Sequence, residues 1–281
     1  MSEKEKSTSL VEVISAAIKI PGVKVNRDIF LREAFKKASS EKMERILEVG
    51  PVAAGCTRKQ LKNIANYYVN LRTLTSTGIS FVTGLPGGLA MTATIPADTL
   101  QYFAVAIRLA QEIAYIYGAE DLWCDEKVDM EKIQTDLILY CGVMFGASGA
   151  SATLRVLTAA LAKQALKKIP RMAANKIFLY HIAKSIARVV GLKMSKNIFA
   201  KGVAKALPII GGVFSGTLTF VTMRPMGHKL IEDLDEARFD YSQEELEADL
   251  KELQKKFGLK IEEPIETTDF CDSGANTGVT K

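Results

Sequence analysis

The sequence predicts an all-α protein, a single multi-helix domain whose apolar helical hairpins are broken by Gly and Pro. Apolar residues recur at helical spacing along most of the chain, and the apolar/polar alternation of strands is almost absent. Three long runs carry no charge: Thr73–Ala97, Leu137–Leu154 and Ala206–Met223. Each holds a Gly-x-x-x-Gly pair, namely Gly84/Gly88, Gly142/Gly146 and Gly212/Gly216. Small residues four apart let two helix backbones approach closely, in lipid or in a protein core.

The elements follow in order. Ser7–Ile20 reads as a helix stopped by Pro21-Gly22. Asn26 caps a second helix to about Ala38, with Ile29, Phe30, Ala34 and Phe35 on one face. Glu41–Val49 is a third, ended by Gly50-Pro51. Thr57 caps a long helix to about Val82, striped by Leu61, Ile64, Ala65, Tyr68, Leu71 and Leu74. The Gly84–Gly88 knot breaks it. Ala97–Tyr117 is a helix closed by Gly118. Asp129–Phe145, Gly149–Lys168, Arg171–Val190, Ser195–Ala206 and Val213–Met223 follow, and His228–Phe239 and Gln243–Phe257 close the fold. No linker interrupts residues 7–257, which are read as one domain. The polar, Gly/Thr/Asp-rich stretch Gly258–Lys281 is expected to be a disordered tail.

Composition narrows the function. The chain of 281 residues is 48% hydrophobic, with a mean hydropathy of +0.09, lower than a polytopic membrane protein usually shows. Met1–Ser9 is polar, and Leu10–Ile20 lacks a cleavage site, so export is not expected. Cys56, Cys124, Cys141 and Cys271 show no paired spacing, as suits a reducing cytoplasm. The net charge of +5 hides an asymmetry. Arg155–Lys205 holds twelve Lys/Arg and no acid, while Lys229–Glu263 holds twelve acids and six bases. Either the two regions face each other as neighbouring helices, or the basic one meets an anionic surface.

Catalytic signatures are missing. His181 and His228 belong to no HExxH or Cys/His cluster, and no GxxxxGK[ST] or strand-borne GxGxxG occurs. Gly146-Ala147-Ser148-Gly149-Ala150 is not a GxSxG elbow and is read as helical. No cofactor, metal or nucleic acid is expected, and no enzymatic activity.

The apolar runs can touch lipid without simply crossing it. The Gly/Pro break in Thr73–Ala97 leaves arms of about ten residues, half of what a span needs. Leu137–Leu154 is just long enough, but Ser148, Ser151 and Thr153 weaken it. Asp98 follows the first run. It is expected in the first turn of its helix, favouring the dipole, and too far from Arg108 to pair with it on that helix. In the basic region Lys184 and Arg188 are four apart, and Lys193 and Lys201 share a strip, with apolar residues between. Such helices lie readily on anionic membranes.

Gly84-Leu85-Pro86-Gly87-Gly88, Ile95-Pro96-Ala97-Asp98, Ile107–Ala114, Tyr117-Gly118 and Lys205-Ala206-Leu207-Pro208-Ile209-Ile210-Gly211-Gly212 together resemble the EcsC family of bacterial proteins. The resemblance covers residues 40–240 in patches. It implies a helical, membrane-associated protein on the cytoplasmic face, connected with a transporter, with no established molecular activity and no catalytic residue. The expected partner is an anionic membrane surface or a membrane protein. The alternative is a soluble helical scaffold for a protein partner or an apolar ligand. The candidate contacts are Gly84, Pro86, Gly87 and Gly88 in the first hairpin and Asp98 and Arg108 on the helix after it. Lys184, Arg188, Lys193 and Lys201 supply charge, and Pro208, Gly211, Gly212 and Gly216 form the second hairpin.

Overall fold

The computed structural model describes residues 10–75, 97–123, 130–159 and 213–257. Every regular element among them is helical: α1 Leu10–Ile18, α2 Arg27–Ala34, α3 Ser40–Val49, α4 Arg58–Thr75, α5 Ala97–Ile116, α6 Met130–Phe145, α7 Ala150–Thr158, α8 Val213–Phe239 and α9 Gln243–Phe257. The caps are local chemistry. The Asn26 side chain accepts from the Ile29 amide at 2.9 Å, Ser39 from Lys42 and Thr57 from Gln60. Ser242 and Glu245 accept from each other's amides, a reciprocal cap for α9. Gly50 and Gly118 take φ of +83° and +85°, values open to glycine, where α3 stops and just after α5.

α5 is the central helix. Phe103 to Tyr117 is apolar on nearly every side and almost wholly buried, because α1, α2, α4, α6 and α8 all pack on it. Side-chain pairs fix the directions. Tyr102 bonds Thr222 and Met226, and Tyr117 bonds Asp235, so α5 runs parallel to α8. Val69 meets Gly227 and Arg58 meets Asp235 and Asp240, so α4 runs against both. Phe145 packs on Tyr102 and Phe103. One end of the bundle therefore gathers the C-termini of α4 and α6 and the N-termini of α5 and α8. Sequence runs Thr73–Ala97 and Ala206–Met223 leave or enter the described core there.

Four readings from sequence change, although the uncharged run Leu137–Leu154 divides where the expected helix bounds put it: α6 ends at Phe145, Gly146 turns the chain at φ +70°, and α7 begins at Ala150. Its apolar residues fill the protein core, with Leu137, Cys141, Val143 and Leu154 among them. Gly146 marks a turn, not a close crossing, since a Cβ there would meet nothing within 4 Å. The segment Gly146–Gly149 is that turn rather than part of a helix. α7 stops at Thr158, where Ala159 becomes extended (φ −62°, ψ 137°), about ten residues short of the expected Lys168. Finally, α8 continues through Pro225 for 27 residues where a break was expected. Pro225 lies on the exposed side, so its missing amide bond leaves a carbonyl facing water rather than the core. The remaining expected helices and the Gly258–Lys281 tail lie outside the described residues.

Candidate functional site

On α5 the sequence Arg108–Glu112 places an arginine and a carboxylate one turn apart. Glu112 is fully buried. Arg72, in the last turn of α4, reaches it with Nε at 3.0 and 2.8 Å from its two oxygens and Nη2 at 2.6 Å. Arg108 adds an Nε contact at 3.1 Å. Two guanidinium groups thus share one carboxylate, which leaves one positive charge over. Burial opposes the Arg72 charge, but the hydrogen bonds and field of Glu112 outweigh it and hold its pKa above the usual arginine range. A buried carboxylate is tolerable only with this degree of pairing.

Beside Glu112, Gln111 uses its whole amide. Nε2 donates to the Val23 and Ile107 carbonyls at 2.9 and 3.0 Å. Oε1 accepts from the Val25 amide at 3.2 Å and from Trp123 Nε1 at 2.8 Å. Arg108 Nη1 also donates to the Gly22 carbonyl. The link between α1 and α2 is therefore strapped to α5, and Lys24 is held with its Nζ 4.9 Å above the Trp123 ring.

The strap, α2, α4 and α5 enclose an open groove of about 300 Å³. Lys24, Arg72 and Arg108 give it three cations, and Ile29, Tyr67 and Leu71 give it an apolar wall. Phe30 and Tyr68 also line it, with rings edge to face at 4.8 Å. Burial, then the field of Glu112, pushes the Tyr68 hydroxyl up to about 12, so it stays protonated. The acid on the rim, Glu33, is paired with Lys36 at 2.8 Å. The wall is unusually bare: Ile29 is 71% and Tyr67 60% exposed, and Leu74, one heptad beyond Tyr67, is 59% exposed. These make up half of the exposed large apolar side chains among the described residues; Ile29 and Tyr67 line the groove, and heptad spacing puts Leu74 on the Tyr67 side of α4.

Two other charged clusters are closed structural fastenings. Asp235 accepts from Arg58, Lys62 and Tyr117. Arg155 forks onto Asp249 at 2.9 and 2.8 Å and reaches Asp233 and Glu236. Arg155 opens the basic region, and its partners belong to the acidic one. At this position the two regions do face each other as neighbouring helices.

Of the residues singled out from sequence, Arg108 is in the groove. Asp98 falls in the first turn of α5, as its position suggested, and Gly216 falls in the first turn of α8. Gly84, Pro86, Gly87, Gly88, Lys184, Arg188, Lys193, Lys201, Pro208, Gly211 and Gly212 lie outside the described residues. Sequence reasoning missed Lys24, Tyr67, Arg72, Gln111 and Glu112. The four-residue spacing of Arg108 and Glu112 was a usable signal, as was Arg72 standing at the border of an uncharged run. Among the described residues no group of His, Cys, Asp and Glu could hold a metal ion. No protein-family model, curated protein or solved structure matches the chain.

Proposed function

We propose that this is an EcsC-like protein that rests peripherally on an anionic membrane at its cytoplasmic face, with no catalytic site. The observation that carries this reading is the exposed apolar face of Ile29, Tyr67 and Leu74 beside Lys24, Arg72 and Arg108. Apolar side chains that enter a headgroup layer next to cations that meet its phosphates are what surface binding requires. The position of this face supports it further. Leu74 sits where α4 passes into the uncharged run Thr73–Ala97, and Ala206–Met223 enters the core at the same end of the bundle. Among the described residues no helix is long and apolar enough to cross a membrane, and the proposal is of contact with one leaflet.

Co-sedimentation with vesicles tests it. Wild type is expected to pellet with vesicles containing phosphatidylglycerol and not with neutral ones. At about 1 M salt, where screening acts within about 3 Å, a large part should be released. The double variant Tyr67→Ser/Leu74→Ser should bind more weakly with little change in thermal stability, since both side chains are more than half exposed. Protein that stays in the supernatant at low salt would overturn the proposal in favour of a soluble scaffold.

A further inference from the structure

Surface attraction alone does not require a groove, and the groove has a more specific composition than a membrane-facing patch needs. We infer that it seats the phosphate of a single anionic phospholipid, an inference that rests on the peripheral-membrane reading above. The charge count favours an anion. Arg72 and Arg108 share the one Glu112 carboxylate, Glu33 is taken by Lys36, and Lys24 has no carboxylate among the described residues. Two positive charges therefore remain over one small concavity. Arg72 Nη1 and Arg108 Nη2 make no hydrogen bond to described residues and belong to planar groups already fixed by Glu112, so a phosphate oxygen would meet donors that lose little freedom on binding.

The apolar half of the groove decides between a lipid and a free phosphate. Ile29, Tyr67 and Leu71 stand beside the cations, and Tyr67 and Ile29 are more exposed than the core needs. A glycerol backbone and the first carbons of an acyl chain would cover them; inorganic phosphate would not. About 300 Å³ is at the small end of ligand sites and suits a headgroup with its tails outside. The same geometry assigns positioning work to Glu112 and Gln111: the first fixes the two guanidinium groups, and the second holds the strap that carries Lys24.

The test uses the full chain and dihexanoyl-phosphatidylglycerol below its micelle concentration, so that a single molecule is presented rather than a surface. Titration followed by calorimetry should show saturable binding at one lipid per chain. Lys24→Gln and Tyr67→Ser should each weaken it about tenfold, equivalent to about 1.4 kcal/mol, with unchanged melting temperature. Both side chains lie on the rim, and neither variant disturbs the buried Glu112 pair. Inorganic phosphate should bind far more weakly and should not compete at equal concentration. Equal affinity for inorganic phosphate would overturn the lipid assignment. Vesicle binding without saturable short-chain binding, or saturation insensitive to both variants, would overturn the groove site and leave the surface reading standing. Loss of both bindings in wild type would overturn the two together.

Discussion

Glu112 concentrates the energetics of the site in one carboxylate. With both of its oxygens engaged by Arg72 and one also by Arg108, neutralising it would leave two half-buried guanidinium groups facing each other. Glu112→Gln is expected to lose about 3–5 kcal/mol of stability, measured by urea unfolding, because breaking a buried pair strands its partners. A loss under about 1 kcal/mol would mean that water already screens the cluster. Asp136 on α6 behaves in the opposite sense. Burial pushes its carboxyl up to about 6, with Lys132 opposing and Glu120 adding to the shift. The folded protein therefore holds this proton more tightly than the unfolded chain. Stability from this group is present below about pH 4, declines as pH rises to about 6 and stays lost above that. Asp136→Asn should stabilise by about 1–3 kcal/mol at neutral pH and by almost nothing at about pH 4, read as melting temperature against pH. At this scale the sequence offered Arg108 with Glu112 one turn on, but not the second arginine that completes the cluster. Arg72 lies 40 positions away from Glu112, and nothing local announces that a helix will pass there.

Among the elements, α4, α5 and α8 come together at Gly227. A Cβ built there would come within 2.8 Å of Val69 Cγ2 and 3.3 Å of Leu109 Cδ2. Val69 is fully buried and β-branched, so it has little freedom to move. Gly227→Ala should gain about 1 kcal/mol of helix propensity and lose about 1–3 kcal/mol to overpacking. A lower melting temperature is expected, recovered in part by Val69→Ala in the same chain; a higher one would show that the crossing relaxes. Helix existence was largely legible because capping is local: Asn26, Thr57, Gly50 and Gly118 announce their own ends. What was not legible is which apolar run serves the core. Leu137–Leu154 has the same lack of charge as its two counterparts, yet a turn with two positive-φ glycines, Gly146 and Gly149, folds it into two buried helices. Pro225 misled for a related reason: its cost depends on whether it faces water, which composition does not reveal.

For the whole molecule, the all-α architecture follows from periodicity, while the antiparallel setting of α4 against α8 depends on contacts over a hundred residues apart, such as Arg58 with Asp235. Charge asymmetry along the chain resolves in part into a fastening, since Arg155 is consumed by Asp233, Glu236 and Asp249. The cations that remain facing outward at the groove come from α4, α5 and the strap before α2, outside the acid-free stretch Arg155–Lys205. The candidate site was accordingly only glimpsed from sequence, through Arg108, because it is assembled from four separate segments.

The strap has one more consequence. Trp123 is the only tryptophan in the chain. Its indole donates to Gln111 at 2.8 Å, and the Lys24 ammonium lies over its ring. The single strong fluorophore of the wild-type protein is therefore wired to the lip of the groove. Anything that draws Lys24 away from the ring changes the electric field across the indole, and with it the colour and yield of its emission. The unlabelled chain carries its own optical gauge of what sits beside Lys24.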